Sequence, residues 1–478
     1  MKREFGIVAA SLAASIGLGA SRGFAQTDQS ADIAALKSQI NALQQQVNQL
    51  QAQEEKTAAD NAATTRQVID DAARESQLLP PASFLSTYDP NVGFVIRSPD
   101  GQFSFHPGAL FDFREMTSYR EETPHKVGAA DSNKNGEDTE SGFDVTRMRL
   151  TFDGNYGKDL KYFIQFQDDQ GTTFGLYDAY ATFHIENTPF SIRGGQFKDP
   201  VFHERLLSEM NLLAVDRTET ESFFGGGQTS RVQGVSLLYD QGQARAQLAI
   251  DDGYNTINTK FFDQSSASAS PAGSAGLQPP DFGAAGRVEY ALIGQRDKNF
   301  NPFSEYDSGF TALGDTRDIL VAGAAADYTQ AGASYLLLHT IDAQYDSPTG
   351  LSLYGAYLAS YRDLDVKGGK SPVKWAPGSY YDPGFVGQVG YLLTRQIEPF
   401  ARYDYTYLQG GSTTRLNDQE IQEVAVGVNY YLYGQHAKFT VDGVWLPNGA
   451  PVDNDAFGIL QDSGHNEFVL RFQFQLAI

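Results

Sequence analysis

Ionisable side chains at every second position carry most of the chemistry legible in this sequence. Arg147, Arg149, Lys161, Arg193, Arg245, Arg287, Arg402 and Arg471 alternate with apolar positions, and so do Asp178, Asp251, Glu289, Glu398, Asp404 and Asp442. In extended chain, successive side chains point to opposite faces, so these charges share faces turned away from the apolar ones. Such a face needs water or partners. Two readings follow: the charges pair across strands as a network, or they form a basic wall that acts on passing ions. Residues 199–229 hold a second set, in which Asp199, Glu204, Glu209, Asp216, Glu219 and Glu221 outnumber Arg205 and Arg217. An acidic loop facing a basic wall would set up a transverse field that sorts solutes by charge and size.

Bond-making chemistry finds no comparable pattern. The seven His, at 106, 125, 184, 203, 339, 436 and 465, are scattered, and no HExxH spacing occurs. There is no GxSxG elbow. A hydrolase built into a lipid-facing wall would need a Ser/His pair on adjacent strands, and His184 and His339 have no evident partner. Asp168-Asp169 reads as a solvated strand end. Asp131-Ser132-Asn133-Lys134-Asn135-Gly136 lacks the Glu that a calcium loop carries at position twelve, where Gly142 stands. Gly225-Gly226-Gly227 is expected to supply tight bends. No enzyme, cofactor or metal is expected.

The elements that must position these charges follow a period of two. Phe468, Leu470, Phe472, Phe474, Leu476 and Ile478 alternate with Val469, Arg471, Gln473, Gln475 and Ala477. Met148, Leu150 and Phe152, then Leu160, Tyr162, Ile164 and Phe166, then Ala401, Tyr403, Tyr405 and Tyr407 repeat the pattern. One greasy and one wet face is what a strand between lipid and a watery lumen requires. Sixteen strands are expected, near 102–114, 143–153, 160–168, 175–185, 190–198, 230–240, 244–252, 285–293, 319–328, 334–345, 351–362, 385–394, 397–408, 420–431, 437–446 and 467–478. Each has the roughly ten residues that a tilted strand needs to cross a bilayer. The expected fold is an all-β transmembrane barrel over 101–478. Short connections follow most even strands and long ones most odd strands, as in bacterial outer-membrane barrels. Two connections break the rule, a long one at 294–318 and a short one after the ninth strand. A miscount by two, to 14 or 18, would account for them.

The 478-residue chain carries a formal net charge of -23, which argues against nucleic acid and anionic lipid as partners. It has no Cys, 25 Tyr and 32 Phe. Beyond the N-terminus no apolar run reaches the roughly 18 residues of a spanning helix. Residues 1–25 read as a signal peptide, with Lys2 and Arg3, an apolar stretch from Gly6 to Ala20, and small residues at Gly23 and Ala25. Ile33, Leu36, Ile40, Leu43, Val47 and Leu50 step by alternating threes and fours, a short coiled-coil seam within a periplasmic helix at 26–76. An amphipathic helix packed on its own chain is the other reading. Residues 77–100, with Pro80, Pro81, Pro90 and Pro99, read as a linker.

Arg147-Met148-Arg149-Leu150, Asp178-Ala179-Tyr180 and Gly195-Gln196-Phe197-Lys198-Asp199-Pro200 resemble motifs of the phosphate-selective porin O and P family. Leu353-Tyr354-Gly355, Glu398-Pro399-Phe400-Ala401-Arg402-Tyr403 and Val426-Gly427-Val428-Asn429-Tyr430-Tyr431 are similar too. The resemblance spans about 140–478. It implies sixteen strands, a homotrimer, a third loop folded inward near 199–229 and a periplasmic N-terminus. The function to expect is an outer-membrane porin, a passive path for ions and small hydrophilic solutes among outer-membrane lipid and lipopolysaccharide. The acidic third loop would repel phosphate, so weak or cation-leaning selectivity is expected. Alternatives are a structural tether reaching peptidoglycan through the helix, and a barrel hydrolase. The terminal Ile478 departs from the aromatic that usually ends such barrels.

Overall fold

Alternation over this many strands has one stable outcome in lipid, a sheet closed on itself, because an open edge leaves backbone groups unpaired where no water reaches. A computed structural model shows that closure. It describes residues 37–38, 41–53, 56–57, 63–64, 66–67, 84–89, 93–120, 138–169, 174–259, 280–365, 378–409, 419–449, 458–459 and 466–478. Met1–Ser83 and Phe84–Ile478 are separate units. The leader, Ile33, Leu36, Ile40, the stretch 131–136 and most of the first part of the linker lie outside the described residues. Within the first unit, residues 41–53 are helical, with Leu43, Val47 and Leu50 exposed. No helix among the described residues is long and apolar enough to cross a membrane.

The second unit opens with a hairpin, β1 (Leu85–Asp89) and β2 (Gly93–Arg97), inside the stretch read as a linker. The wall then runs through β3 (Phe103–Arg120), β4 (Asp138–Tyr156), β5 (Leu160–Asp169), β6 (Gly175–His184), β7 (Phe190–Lys198), β8 (Arg231–Gln241), β9 (Ala244–Asp251) and β10 (Phe282–Ile293). It continues through β11 (Ile319–Ala331), β12 (Ser334–Asp346), β13 (Leu351–Leu364), β14 (Gly378–Tyr391), β15 (Ile397–Leu408), β16 (Gln419–Tyr431), β17 (Ala437–Leu446) and β18 (Glu467–Ala477). Each of these pairs antiparallel with the next, and β18 pairs with β3 from Glu467↔Arg120 to Ala477↔Leu110, which closes a barrel of sixteen strands. Below Leu110, β3 outruns its partner. There β2 takes the vacant place, with Ile96 opposite Phe105 and Arg97 opposite Ser104.

Every expected strand is present, and β7, β15 and β17 agree with expectation at both ends. The two faces differ as the period demands. Phe113, Met148, Ile164, Ile192, Leu237, Ile250, Val288, Ile341, Phe385, Val426, Phe439 and Phe472 stand exposed around the outside. Apolar surface continuous around a whole barrel far exceeds the few hundred Å² that a soluble monomer tolerates, so it must meet lipid. The opposite phase is buried and mixed. It carries Arg114, Arg147, Arg149, Asp342, Arg402, Asp404 and Arg471, and also Leu336, Leu338, Leu358 and Val386. Apolar side chains on a lumen wall need covering, and two connections cover them.

One is the expected third loop. The other is the stretch 294–318, which no miscount explains: β10 and β11 pair directly, and the chain between them folds back into the bore. It enters at the end where β3 begins and β18 finishes, here the near end. The short connection at 332–333 is the corresponding far-end turn, with Gly332 at φ 63°.

Candidate functional site inside the barrel

The third loop leaves β7 at Asp199 and returns to β8 at Ser230, its neck closed by the Asp199 amide donating to the Ser230 carbonyl at 3.1 Å. Short polar runs and the helix-starting residue Thr218 break it into turns. His203–Leu206 is one helical turn, Glu209–Asn211 a 3-10 turn, and Glu219–Glu221 a turn capped by Thr218, whose hydroxyl accepts from the Glu221 amide at 3.1 Å. Ser222–Thr229 then widens into a π-helical turn. The glycines there do not make tight bends as expected. A Cβ on Gly225 would collide with the Glu221 carboxylate, and one on Gly226 with the Arg205 guanidinium. They let backbone press against an ion pair.

This loop crosses the bore and docks on the far wall. Phe202, Leu213, Phe223 and Phe224 bury against Leu336, Leu338, Leu358 and Val386. Wall side chains then satisfy its backbone: Asn429 donates to the Leu213 carbonyl at 2.9 Å, Lys438 to that of Leu212 at 2.7 Å, and Arg402 to that of Asp216 at 2.5 Å. Buried carbonyls in irregular chain need such donors.

Charge closes the dock. Asp216 accepts from both terminal nitrogens of Arg114 at 2.6 and 2.7 Å and from Arg471 at 3.0 Å, with Arg147 at 3.7 Å. Burial alone would raise the Asp216 carboxyl, but Arg114, Arg471 and Arg147 outweigh it and hold it below the usual range. Glu209 pairs with Arg149 and Arg217 and is likewise held well below the ordinary value against burial. Arg205 meets Glu221 at 2.8 Å. Glu204 accepts from the Thr218 amide at 2.9 Å and hydroxyl at 3.0 Å. Glu219 has no cation within ion-pair distance among the described residues. Burial, then the neighbouring Glu423, push it up to about 8, so it is protonated at neutral pH.

The expected wall residues divide sharply. Arg147 pairs with Asp112 at 2.7 Å, Arg402 with Glu423 at 2.5 Å, and Arg471 with Asp442 at 2.8 Å. Arg287 pairs with Glu289 at 2.6 Å and with Asp342 at 2.7 Å, while Arg245 pairs with Glu289 and, at 2.6 Å, with Asp307. Asp178 meets Arg231 at 3.2 Å, Asp404 accepts from the Thr220 hydroxyl at 2.7 Å, and Glu398 from that of Thr311 at 2.9 Å. The wall network and the wall-to-loop contact therefore coexist. Two members stand apart. Lys161 and Arg193 face no carboxylate within ion-pair distance among the described residues; Arg193 donates to Thr182 at 3.2 Å and lies 4.4 Å over the Tyr180 ring. Lys161 and Arg193 both sit opposite Thr182, on its two sides, in one row of the lumen wall.

Sequence reasoning left out Asp112 and Arg114 although they alternate with Phe111 and Phe113, the signal used elsewhere. It also left out Arg231, Asp342, Glu423 and Lys438. His184, which had no evident partner, has its Nδ1 3.2 Å from the Ser191 hydroxyl, but on the lumen phase; His339 on the outer face lies 3.2 Å from the Tyr381 hydroxyl. No group of metal-binding side chains occurs among the described residues.

Residues 124–302 match the family described as phosphate-selective porin O and P. The resemblance read from the sequence holds over that span; the motifs from Leu353 onward lie beyond it. Among solved structures, the anion-selective porin of Comamonas acidovorans is similar at 12% identity and a TM-score of 0.50, covering 79% of this chain and 100% of its own. OmpF of Salmonella typhi aligns at 12% identity and TM-score 0.48 over 82% and 100% of the two chains. The outer membrane channel DcaP of Acinetobacter baumannii aligns at 14% identity and TM-score 0.45 over 80% and 99%. At 12% identity the likeness to the Comamonas acidovorans porin is one of fold. No curated protein matches the sequence.

Proposed function

We propose, with the porin O and P match as premise, that this chain is an outer-membrane porin through which ions and small hydrophilic solutes diffuse passively. The observation that carries this reading is the inversion of ordinary burial: apolar side chains exposed all round the outside, charged ones inside, and an inward loop narrowing the bore. Single-channel recording of purified protein in a planar bilayer tests it. Stepwise conductance is expected; sealed bilayers at every protein concentration would overturn it.

The cation-leaning selectivity expected from the third loop rested on its acids facing the solute. They are instead buried: Glu209, Asp216 and Glu221 are held by arginines, Glu204 by the Thr218 amide and hydroxyl, and burial raises Asp199 and Glu219 to about 8, so the loop presents little negative field. What the near-end lumen does present is Lys161 and Arg193, neither with a carboxylate within ion-pair distance among the described residues. The selectivity that fits is weak and tilted toward anions. A homotrimer in a bilayer of lipid and lipopolysaccharide, an N-terminal leader and a periplasmic helix complete the proposal. The exposed Leu43, Val47 and Leu50 on residues 41–53 also suit a tether, with neighbouring copies or the cell wall as the partner.

A further inference from the structure

Every other near-end connection described is tight, at 157–159, 185–189, 242–243, 347–350, 392–396 and 432–436. The stretch 294–318 alone is long, and its course follows from its residues. Asn301 caps the helical turn Pro302–Tyr306 by accepting from the Phe303 amide at 3.2 Å. That turn aims Phe303 and Tyr306, with Phe300, at the lumen-facing Ala291, Ile319 and Val321, and all six are buried. An apolar stripe on a wet wall is thereby removed from water.

The stretch then meets the third loop. The His203 ring lies flat on Tyr306, centroids 3.8 Å apart at 13°, and edge-on to Phe310 at 5.6 Å. Gly309 packs so closely on the Asn211 carbonyl that no Cβ would fit, and its φ of 117° suits glycine. Two wall residues fasten both bodies at once. Gln344 of β12 lies 3.0 Å from His203 Nε2 and donates to the Gly309 carbonyl at 2.8 Å. Arg287 of β10 donates to the Val201 carbonyl at 2.8 Å and to the Tyr306 hydroxyl at 2.9 Å while pairing with Asp342. It reaches across β11 over Gly323, where a side chain would collide with the guanidinium. The outcome is one packed body contributed from both ends of the barrel. Its charged, accessible edge is Asp307, half exposed at 50%, bound through both terminal nitrogens of Arg245 at 2.6 and 2.8 Å.

We propose that the constriction of this pore has two parts, the third loop and the near-end stretch 294–318 clamped together by His203, Gln344 and Arg287, and that Asp307 with Arg245 is a solute-facing edge that helps set conductance and selectivity. The inference rests on the channel reading above. It assigns a specificity role to a connection that porin-like topology would make a mere turn.

Since the chain has no cysteine, Asp307→Cys gives a single thiol in the full-length protein. Arg245 keeps Glu289 in that variant, so the wall stays paired. Single channels are recorded before and after a negatively charged and a positively charged methanethiosulfonate reagent, with labelling verified by mass. Narrowing an ion path at its edge is expected to cut conductance roughly twofold, with the two reagents shifting the reversal potential in opposite directions. Full labelling that leaves both unchanged overturns the inference. A wild type that does not conduct at all would instead sink the channel reading, so the two failures are distinguishable.

Discussion

A buried guanidinium whose carboxylate lies within hydrogen-bond reach offers a passing ion little, because its field is already answered at short range and the pair does not meet the solute. By that measure Lys161 and Arg193 matter more to selectivity than Arg402 or Arg471. Replacing both, as Lys161→Gln with Arg193→Gln, is expected to move the reversal potential under a salt gradient toward cations while leaving the barrel folded. An unchanged potential would mean that the paired charges set the field after all. Asp216 behaves in the opposite way, since it answers Arg114 and Arg471 directly and Arg147 at longer range. Asp216→Asn removes the carboxylate that Arg114 and Arg471 share, a loss that costs up to about 3–5 kcal/mol, although Arg147 keeps Asp112 and Arg471 keeps Asp442. The expected result is a noisier, flickering channel and a lower temperature for the heat-induced mobility shift on gels. Arg114 shows why such residues were partly missed: its phase was readable, but its partner sits 102 residues away on a loop.

At the scale of elements, the third loop is docked by packing and by protonation state together. The Glu219 carboxyl, ordinarily near 4.5, is raised to about 8 by burial and by Glu423, with Arg402 and Arg471 acting against the shift. A group whose folded value is raised contributes stability fully present below about pH 4.5, and that contribution is lost as pH climbs through 8. The loop should therefore hold most tightly in acid and loosen in alkali. More frequent closures, or faster protease nicking of the loop, are expected at pH 9 than at pH 6, and Glu219→Gln should shrink that difference, with Asp199 and Glu221, raised to about 8 and about 7, carrying the rest. A pH response identical in the variant would remove Glu219 from the account. The near-end stretch 294–318 is a second docked element, and the alternation could locate it only as an irregularity in connection length.

At the scale of the molecule, closure of β18 onto β3 completes the barrel wholly within the unit Phe84–Ile478. Deleting 26–76 is accordingly expected to leave single-channel conductance unaltered while lowering trimer survival on native gels or envelope integrity. Loss of conductance in that deletion would show that the helical segment takes part in the pore.

Strand phase and the identity of the lumen face were decided by local sequence, because a two-residue period in lipid permits only one sidedness; the count of sixteen stayed open by two until the closure of β18 on β3 fixed it. The existence of an inward third loop was legible too, through the resemblance around Gly195–Pro200. Whether that loop's acids face solute or arginine was not, since net charge says nothing about pairing between segments 100 or more residues apart, as with Asp216 and Arg114. Nor could the sequence tell that a near-end connection enters the bore, because its anchor is a stack between His203 and Tyr306 that exists only once the barrel has brought them together.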